Sequence, residues 1–106
     1  MGKNDPTHCV VGAFIDGRLV GVANSAALAQ PRTAVAALTV VHGEHAHGIA
    51  TDLLSRLAEL ARERGIERFA ADVLPTNAKM MGLIIESDFP VITHRQNSIV
   101  RVAIQL

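Results

Sequence analysis

The stretch that decides the fold is residues 40–57, VVHGEHAHGIATDLLSRL, where a strand pattern gives way to a helix pattern across a short polar loop. The residues before the loop, 34–41, are apolar and rich in β-branched side chains. Small residues at Ala46, Gly48 and Ala50 allow a tight turn and the close approach of a ligand. A helix N-terminus suits a phosphate, because its N–H groups are unpaired and its dipole is positive there. The stretch predicts an anion site between a strand and a helix; the alternative is an ordinary β–α turn.

Length and composition favour a single small globular domain that spans residues 1–106. The chain is 49% hydrophobic and 19% charged, which is typical of a packed domain and not of a disordered one. Its formal net charge is zero and it has no Trp or Tyr, so we expect no nucleic-acid partner. No apolar run reaches the roughly 20 residues of a membrane helix, and the first residues lack the apolar core of a signal peptide. We therefore expect no membrane partner either.

The one cysteine, Cys9, excludes an intrachain disulfide and fits a reducing, cytoplasmic compartment. Cys9 lies in an apolar strand pattern, which predicts a buried and unreactive thiol. The cysteine therefore gives no sign of a nucleophile.

The sequence predicts six strands, found at His8–Ile15, 18–23, 33–41, 66–74, 91–94 and 98–104. Asp16-Gly17 separates the first two strands and is typical of a two-residue hairpin turn. We expect the first three strands to form an antiparallel meander.

Two amphipathic helices interrupt the strands. The first follows the polar loop, and its apolar residues share one helical face: Ile49, Leu53, Leu54, Leu57, Leu60 and Ala61. Gly65 is placed to cap its C-terminus. Thr76 is the predicted N-cap of a second helix over about 77–87. The predicted order is β–β–β–α–β–α–β–β, an α/β fold with a mixed sheet.

Two stretches carry a resemblance to a known family. Residues 45–50, HAHGIA, resemble the acetyl-CoA pyrophosphate loop of the GNAT superfamily of N-acetyltransferases, read as Gln/Arg-x-x-Gly-x-Gly/Ala, with His45 in the place of Gln or Arg. Residues 64–80 are similar to the acetyltransferase domain of bacterial protein-lysine acetyltransferases, with the pattern Arg-Gly-Ile-x-Arg-Phe, then Val-Leu-x-x-Asn-x-x-Met. Phe89 takes the place of a later family Phe. The resemblance covers nearly the whole chain and implies a GNAT-like fold that lacks the usual N-terminal strand and two helices.

The resemblance implies acetyl-CoA as co-substrate and direct attack of an amine or protein lysine on the thioester. The cofactor would lie where the third strand splays from the fourth. Backbone groups of the third strand would hold the pantetheine, loop amides the pyrophosphate, and Asn77 the cofactor arm. The residues implied in acetyl-CoA binding are Leu38, Thr39, Val40, His45, Ala46, His47, Gly48, Ile49, Ala50, Thr51 and Asn77.

The usual proton-transfer residues of the resembled subfamily do not occur. Val35 stands where relatives have a Glu base, Ile84 stands where many have a Tyr acid, and the catalytic residues stay unassigned. Three hypotheses follow: an N-acetyltransferase with an unconventional base, a non-catalytic acyl-CoA-binding or regulatory module, and a structural dimerisation domain with a vestigial loop.

The histidines of the loop raise the question of a metal. His42, His45 and His47, with Glu44 between them, have spacings at which ligands can converge on zinc. Because no second ligand cluster is evident, we expect solvated histidines and no metal. Because the usual N-terminal elements are lacking, we expect exposed apolar sheet surface, and therefore a homodimer or a partner chain.

Overall fold

The computed structural model describes residues 7–41, 43 and 46–106, with His47 described through its backbone alone. The elements follow the predicted order: β1 (His8–Ile15), β2 (Arg18–Ala27), β3 (Thr33–Val40), α1 (Ala46–Glu63), β4 (Arg68–Val73), α2 (Ala78–Glu86), β5 (Val91–Gln96) and β6 (Ile99–Gln105). The strands form one sheet in the order β1-β2-β3-β4-β6-β5. Only the pair β3–β4 is parallel among these strands. The predicted α/β fold with a mixed sheet is confirmed.

The hairpin of β1 and β2 forms where its turn residues predict it. Asp16 and Gly17 have φ of 51° and 78°, and positive φ at both central residues defines the turn that suits the twist of paired strands. β2 runs to Ala27, beyond its predicted end at residue 23. The extension results from tertiary contacts, because β2 pairs with β1 up to Ala26 on one edge and with β3 up to Ala27 on the other.

Both helices pack on the same face of the sheet, here called the inner face. Strand residues alternate, so that Phe69 and Val73 of β4 and Val102 of β6 point toward the helices. Cys9 is buried there, as predicted. The largest fully buried side chains are Phe69, Leu53, Leu57 and Val102.

The opposite, outer face carries exposed apolar side chains. Phe14 and Leu19 lie on it beside Gly12, because a Cβ added at Gly12 would contact both of them. Val35 and Ile92 belong to the same face by strand alternation, and all four large side chains are exposed. Among the described residues, this face has no helix packed on it.

The helix ends show one correction to the sequence prediction. Gly65 has φ of 82°, and the Ile66 N–H donates to the Ala61 carbonyl at 3.0 Å, so the predicted glycine cap is confirmed. The N-cap of α2 is Asn77 and not Thr76, because the Asn77 Oδ1 accepts from the Met80 N–H at 3.2 Å. No helix within the described residues is long and apolar enough to cross a membrane.

Phe69 anchors the core from the centre of the sheet. We expect Phe69→Ala to lower the free energy of unfolding by about 3–5 kcal/mol, because it leaves a cavity under both helices. Phe14→Ala is the matched control: Phe14 is 58% exposed and Phe69 is 0% exposed, so the control should cost about 1 kcal/mol or less. Urea unfolding followed by circular dichroism measures both, and equal losses would contradict this account of the core.

Candidate functional site

The central feature of the site is a gap between β3 and β4. The two strands pair only through Thr33↔Arg68, Ala34↔Phe69 and Val35↔Ala70. Beyond these pairs β3 stays bonded to β2 up to Val40, and β4 stays bonded to β6 up to Val73. The strands therefore remain in the sheet while they separate from each other, as the resemblance implied.

The closed end of the gap is held by several polar contacts. The N–H groups of Glu67 and Arg68 donate to the Arg32 carbonyl at 2.8 and 3.2 Å. The side chains of Arg32 and Glu67 form an ion pair at 3.3 Å, and Arg68 Nη1 donates to the buried Thr33 Oγ1 at 3.3 Å. These bonds fix the point from which the two strands diverge.

A cavity of about 370 Å³ occupies the gap and the space under the helices. Its wall is mostly apolar and comes from both strands and both helices. The lining residues are Ala23, Ala36, Ala37, Leu38, Leu54, Leu57, Ala71, Asp72, Val73, Leu74, Asn77, Met80, Leu83, Ile84 and Ile104. Apolar walls of this kind suit an uncharged chain better than a charged group.

A second cavity of about 550 Å³ adjoins the first at the N-terminal ends of the helices. The two cavities share Leu38, Asn77, Met80 and Leu83. The remaining lining residues of the second cavity are Thr39, Val40, Gly43, Ala46, Ala50 and Lys79. The two adjacent cavities together suit an elongated ligand with an apolar portion and an anionic portion.

The anionic portion would meet the first turn of α1. The Ala46 N–H donates to the Gly43 carbonyl at 3.2 Å, and the next N–H groups of a helix have no acceptor within it. The first turn contains no acidic residue that would repel an anion. Lys79 lines the same cavity and adds a positive charge.

The structure brings together six of the residues predicted to bind the cofactor. Leu38, Thr39, Val40, Ala46, Ala50 and Asn77 all line the second cavity. Gly48, Ile49 and Thr51 lie in the first two turns of α1 without lining either cavity. His45, like His42 and Glu44, lies outside the described residues, and of His47 only the backbone is described.

Two ionisable residues of the cleft were not found from the sequence. Lys79 lines the second cavity and Asp72 the first, and they are the only ionisable side chains among the described residues that line the two cavities. The one sequence feature that could have indicated Lys79 as a site residue is its position on α2, two residues after Asn77. Asp72 carried no local signal, because its place depends on where β3 and β4 separate.

The positions that lack the expected acid and base differ in their surroundings. Val35 belongs to the last residue pair before the gap and is 42% exposed on the outer face. Ile84 is buried and lines the first cavity from α2. Neither side chain can carry a proton, so neither position supplies an acid or a base.

Comparisons with known proteins agree with this geometry. A family model described as Acetyltransferase (GNAT) family matches residues 1–87. The GNAT domain of PAT from S. lividans has 29% sequence identity to the chain and a TM-score of 0.83, covering 98% of this chain and 64% of its own. A search of curated proteins finds no significant match.

Two further solved structures share the fold and contain ligands. PaiA N-acetyltransferase from Thermoplasma acidophilum, in complex with coenzyme A, has 19% identity, a TM-score of 0.81 and coverage of 94% of this chain and 62% of its own. The protein yncA from Salmonella typhimurium, with acetyl-CoA, has 20% identity and a TM-score of 0.74. The match covers 95% of this chain and 65% of the yncA chain. The chain spans less than two thirds of each of these three solved chains.

Asn77 has a structural role that can be separated from ligand binding. We expect Asn77→Ala to lower the free energy of unfolding by about 1 kcal/mol, because the Met80 N–H loses its cap. Asn77→Asp keeps an acceptor at the cap and should leave stability within about 0.5 kcal/mol. Urea unfolding of both variants checks this, and an equal loss in both would contradict the capping role.

Proposed function

The chain belongs to the acetyltransferase (GNAT) family, and we propose that it binds acetyl-CoA in the cleft between β3 and β4 and transfers the acetyl group to an amine or protein lysine. The observation that carries the proposal is the pair of adjacent cavities, apolar between the strands and bordered by Lys79 and the first turn of α1. Related proteins solved with acetyl-CoA and coenzyme A support the choice of ligand.

The proposed binding mode assigns each part of the cofactor to one part of the cleft. The pantetheine arm lies along β3, where the edge beyond Val35 pairs with no described strand. The backbone groups of Leu38 and Val40 face this edge, whereas those of Thr39 face β2. The pyrophosphate lies at the amides of residues 46–51, and Lys79 lines the adjoining second cavity. Asn77 contacts the arm where the two cavities meet.

The proposed reaction needs a neutral amine. The amine nitrogen attacks the thioester carbon, the new C–N bond forms, and the C–S bond breaks to release coenzyme A. The thiolate of coenzyme A takes up the proton that the attacking nitrogen loses. A backbone N–H of β3 would stabilise the oxyanion in the transition state, because it is fixed before the reaction begins. The base that neutralises an ammonium with a reference pKa near ~10.4 stays unassigned.

A second candidate function has an observation in its favour. Val35 is an exposed apolar residue and Ile84 is buried, so the positions expected to hold the Glu base and the Tyr acid hold no ionisable group. A non-catalytic acyl-CoA-binding or regulatory module would need the cleft but neither of those groups. Both functions share the ligand and differ only in turnover.

The expected homodimer or partner chain stays a prediction. Exposed large apolar side chains on the outer face, on which no described helix packs, support it; they are Phe14, Leu19, Val35 and Ile92.

Acetyl-CoA binding is tested by isothermal titration at neutral pH. We expect a dissociation constant on the order of micromolar for acetyl-CoA and for CoA. Gly48→Glu should weaken both roughly tenfold or more, because it adds a negative charge to the first turn of α1 where the phosphates bind. Gly48 has open space around its Cβ direction, so the variant should fold.

The matched control is Ser55→Glu. Ser55 lies seven residues further along α1 and therefore on the same helical side as Gly48, and like Gly48 it lines neither cavity. Its substitution adds the same charge about two turns away and should leave the dissociation constants within about threefold. If neither acetyl-CoA nor CoA binds the folded unmodified protein, both acyl-CoA functions are refuted and the hypothesis of a structural dimerisation domain remains.

Turnover separates the two candidate functions. We expect the unmodified protein to release CoA and acetylate a lysine peptide, measured by mass spectrometry of the peptide and by thiol release. Sustained turnover would exclude the non-catalytic module. If turnover is absent although acetyl-CoA binds, a gain of activity in Val35→Glu would show that a base was the missing group.

A further inference from the structure

Two alanines mark the point where β3 and β4 separate. Val35↔Ala70 is the last residue pair between the strands, and the next residues along them are Ala36 and Ala71. Both belong to the inner face, because Ala36 packs against the core and Ala71 lies two residues after the buried Phe69. Both line the first cavity and neither lines the second. On the side of the helices, the gap therefore opens between two methyl groups.

Strand formation does not explain the small side chains at this point. Alanine is depleted in strands relative to β-branched residues, and the next inner-face positions hold the larger Leu38 and Val73. A valine in place of either alanine would fill part of the gap. The two methyl groups leave the space under α1 open, and Leu54 and Leu57 line it from that helix.

The first cavity reaches from the surface into the core. Asn77, which also lines the second cavity, is exposed, whereas Leu57 and Ile104 are 1% and 3% exposed. Ile104 of β6 is the register partner of Phe69, so the cavity extends past β4 on the inner face of the sheet. A ligand that enters beside Asn77 can therefore place one end among core residues.

The buried part of this cavity carries no charge. Asp72 and Asn77 are the only polar residues among the described residues that line it. Asp72 alternates to the outer face, where Arg101 Nε donates to its Oδ1 at 3.1 Å. Ile84 is buried and lines the cavity from α2 as a hydrocarbon side chain. Such a space favours hydrocarbon over water, because water finds no hydrogen-bond partners there.

The cavity is larger than an acetyl group requires. Its volume is about 370 Å³. An apolar cavity of about 150 Å³ is enough to hold a six-carbon hydrocarbon. In the proposed binding mode the thioester and the end of the pantetheine arm take part of the volume, and the rest can hold several more carbons.

We propose that the part of the first cavity lined by Ala36, Ala71 and Leu57 is an acyl-chain pocket, which admits CoA thioesters of about four to six acyl carbons as well as acetyl-CoA. This inference rests on the proposed function and deepens it by naming a wider class of co-substrate. The acyl chain passes between the two alanines and ends under α1, near Leu57 and Ile104.

The experiment compares CoA, acetyl-CoA, butyryl-CoA and hexanoyl-CoA by isothermal titration with the unmodified protein. We expect the affinity to rise roughly threefold to fourfold for each methylene added between acetyl-CoA and hexanoyl-CoA, because each methylene leaves water. Dodecanoyl-CoA should bind no tighter than hexanoyl-CoA, because its chain exceeds the pocket. Binding to the exposed apolar residues of the outer face would instead keep strengthening with chain length.

Two variants test where the acyl chain lies. Ala36→Val and Ala71→Val each fill part of the gap, so each should lower the ratio of hexanoyl-CoA affinity to CoA affinity roughly fivefold or more. CoA binding in the same samples shows that each variant is folded. The matched control is Ala70→Val, the same change one residue away on the outer face, where Ala70 lines neither cavity. Its ratio should stay within about twofold of the unmodified protein, because no methylene loses its burial.

The outcomes distinguish this inference from the proposed function. If CoA does not bind the folded unmodified protein, the proposed function fails and this inference fails with it. If CoA binds and hexanoyl-CoA binds no tighter than acetyl-CoA, only this inference is overturned. An affinity that keeps rising to dodecanoyl-CoA, or equal losses in Ala70→Val and Ala71→Val, would also overturn it, because either result places the chain outside the pocket.

Discussion

The short parallel pairing of β3 with β4 is the constraint on which the rest of the site depends. Three residue pairs join the strands, and each strand is bonded to its other neighbour well beyond them. The contacts of Arg32, Thr33, Glu67 and Arg68 hold the closed end together. Backbone groups along the open edges need partners from water or a ligand, because unpaired buried groups are costly. The gap therefore has polar backbone groups along its two strand edges, although the side chains that line it are mostly apolar.

The connections after β3 and β4 put helix N-termini at that opening. α1 follows β3 and α2 follows β4, so both helices begin at the carboxyl ends of the two strands that separate. Asn77 caps α2 there and lines both cavities, which ties the helix start to the shape of the cleft. The polar end of the cleft and its apolar interior therefore result from the same chain order.

Local patterns in the sequence were sufficient for the element order, the Asp16-Gly17 turn and the Gly65 cap, because each depends on neighbouring residues alone. Local patterns did not predict the length of β2, because its last residues are ordered by pairing with β1 and β3. The start of α2 was misplaced by one residue, because Thr76 and Asn77 are both good N-caps and only the contact with Met80 distinguishes them.

The same reasoning explains which parts of the candidate site the sequence predicted. The resemblance assigned Leu38, Thr39 and Val40 to cofactor binding, which stays a prediction. All three line the second cavity, since their place follows from the strand before the loop. Asp72 was missed because nothing near it in the chain marks a cavity. Lys79 lies two residues after Asn77, but that position alone does not show that its side chain lines a cavity. Their places depend on the separation of β3 from β4 and on how α2 packs. Ligand contacts that arise from tertiary geometry therefore require the structure.

The two ends of the cleft differ in the ionisable residues that line them. Among the described residues that line the two cavities, Lys79 is at the helix end and Asp72 at the strand gap, with apolar side chains between them. Lys79 favours an anionic group at the helix end, whereas the carboxylate of Asp72 is already paired with Arg101 of β6. The apolar stretch between them disfavours charge and suits the uncharged atoms of a thioester. A cleft with this order of groups suits an elongated ligand that is anionic at the helix end and uncharged along the strand gap.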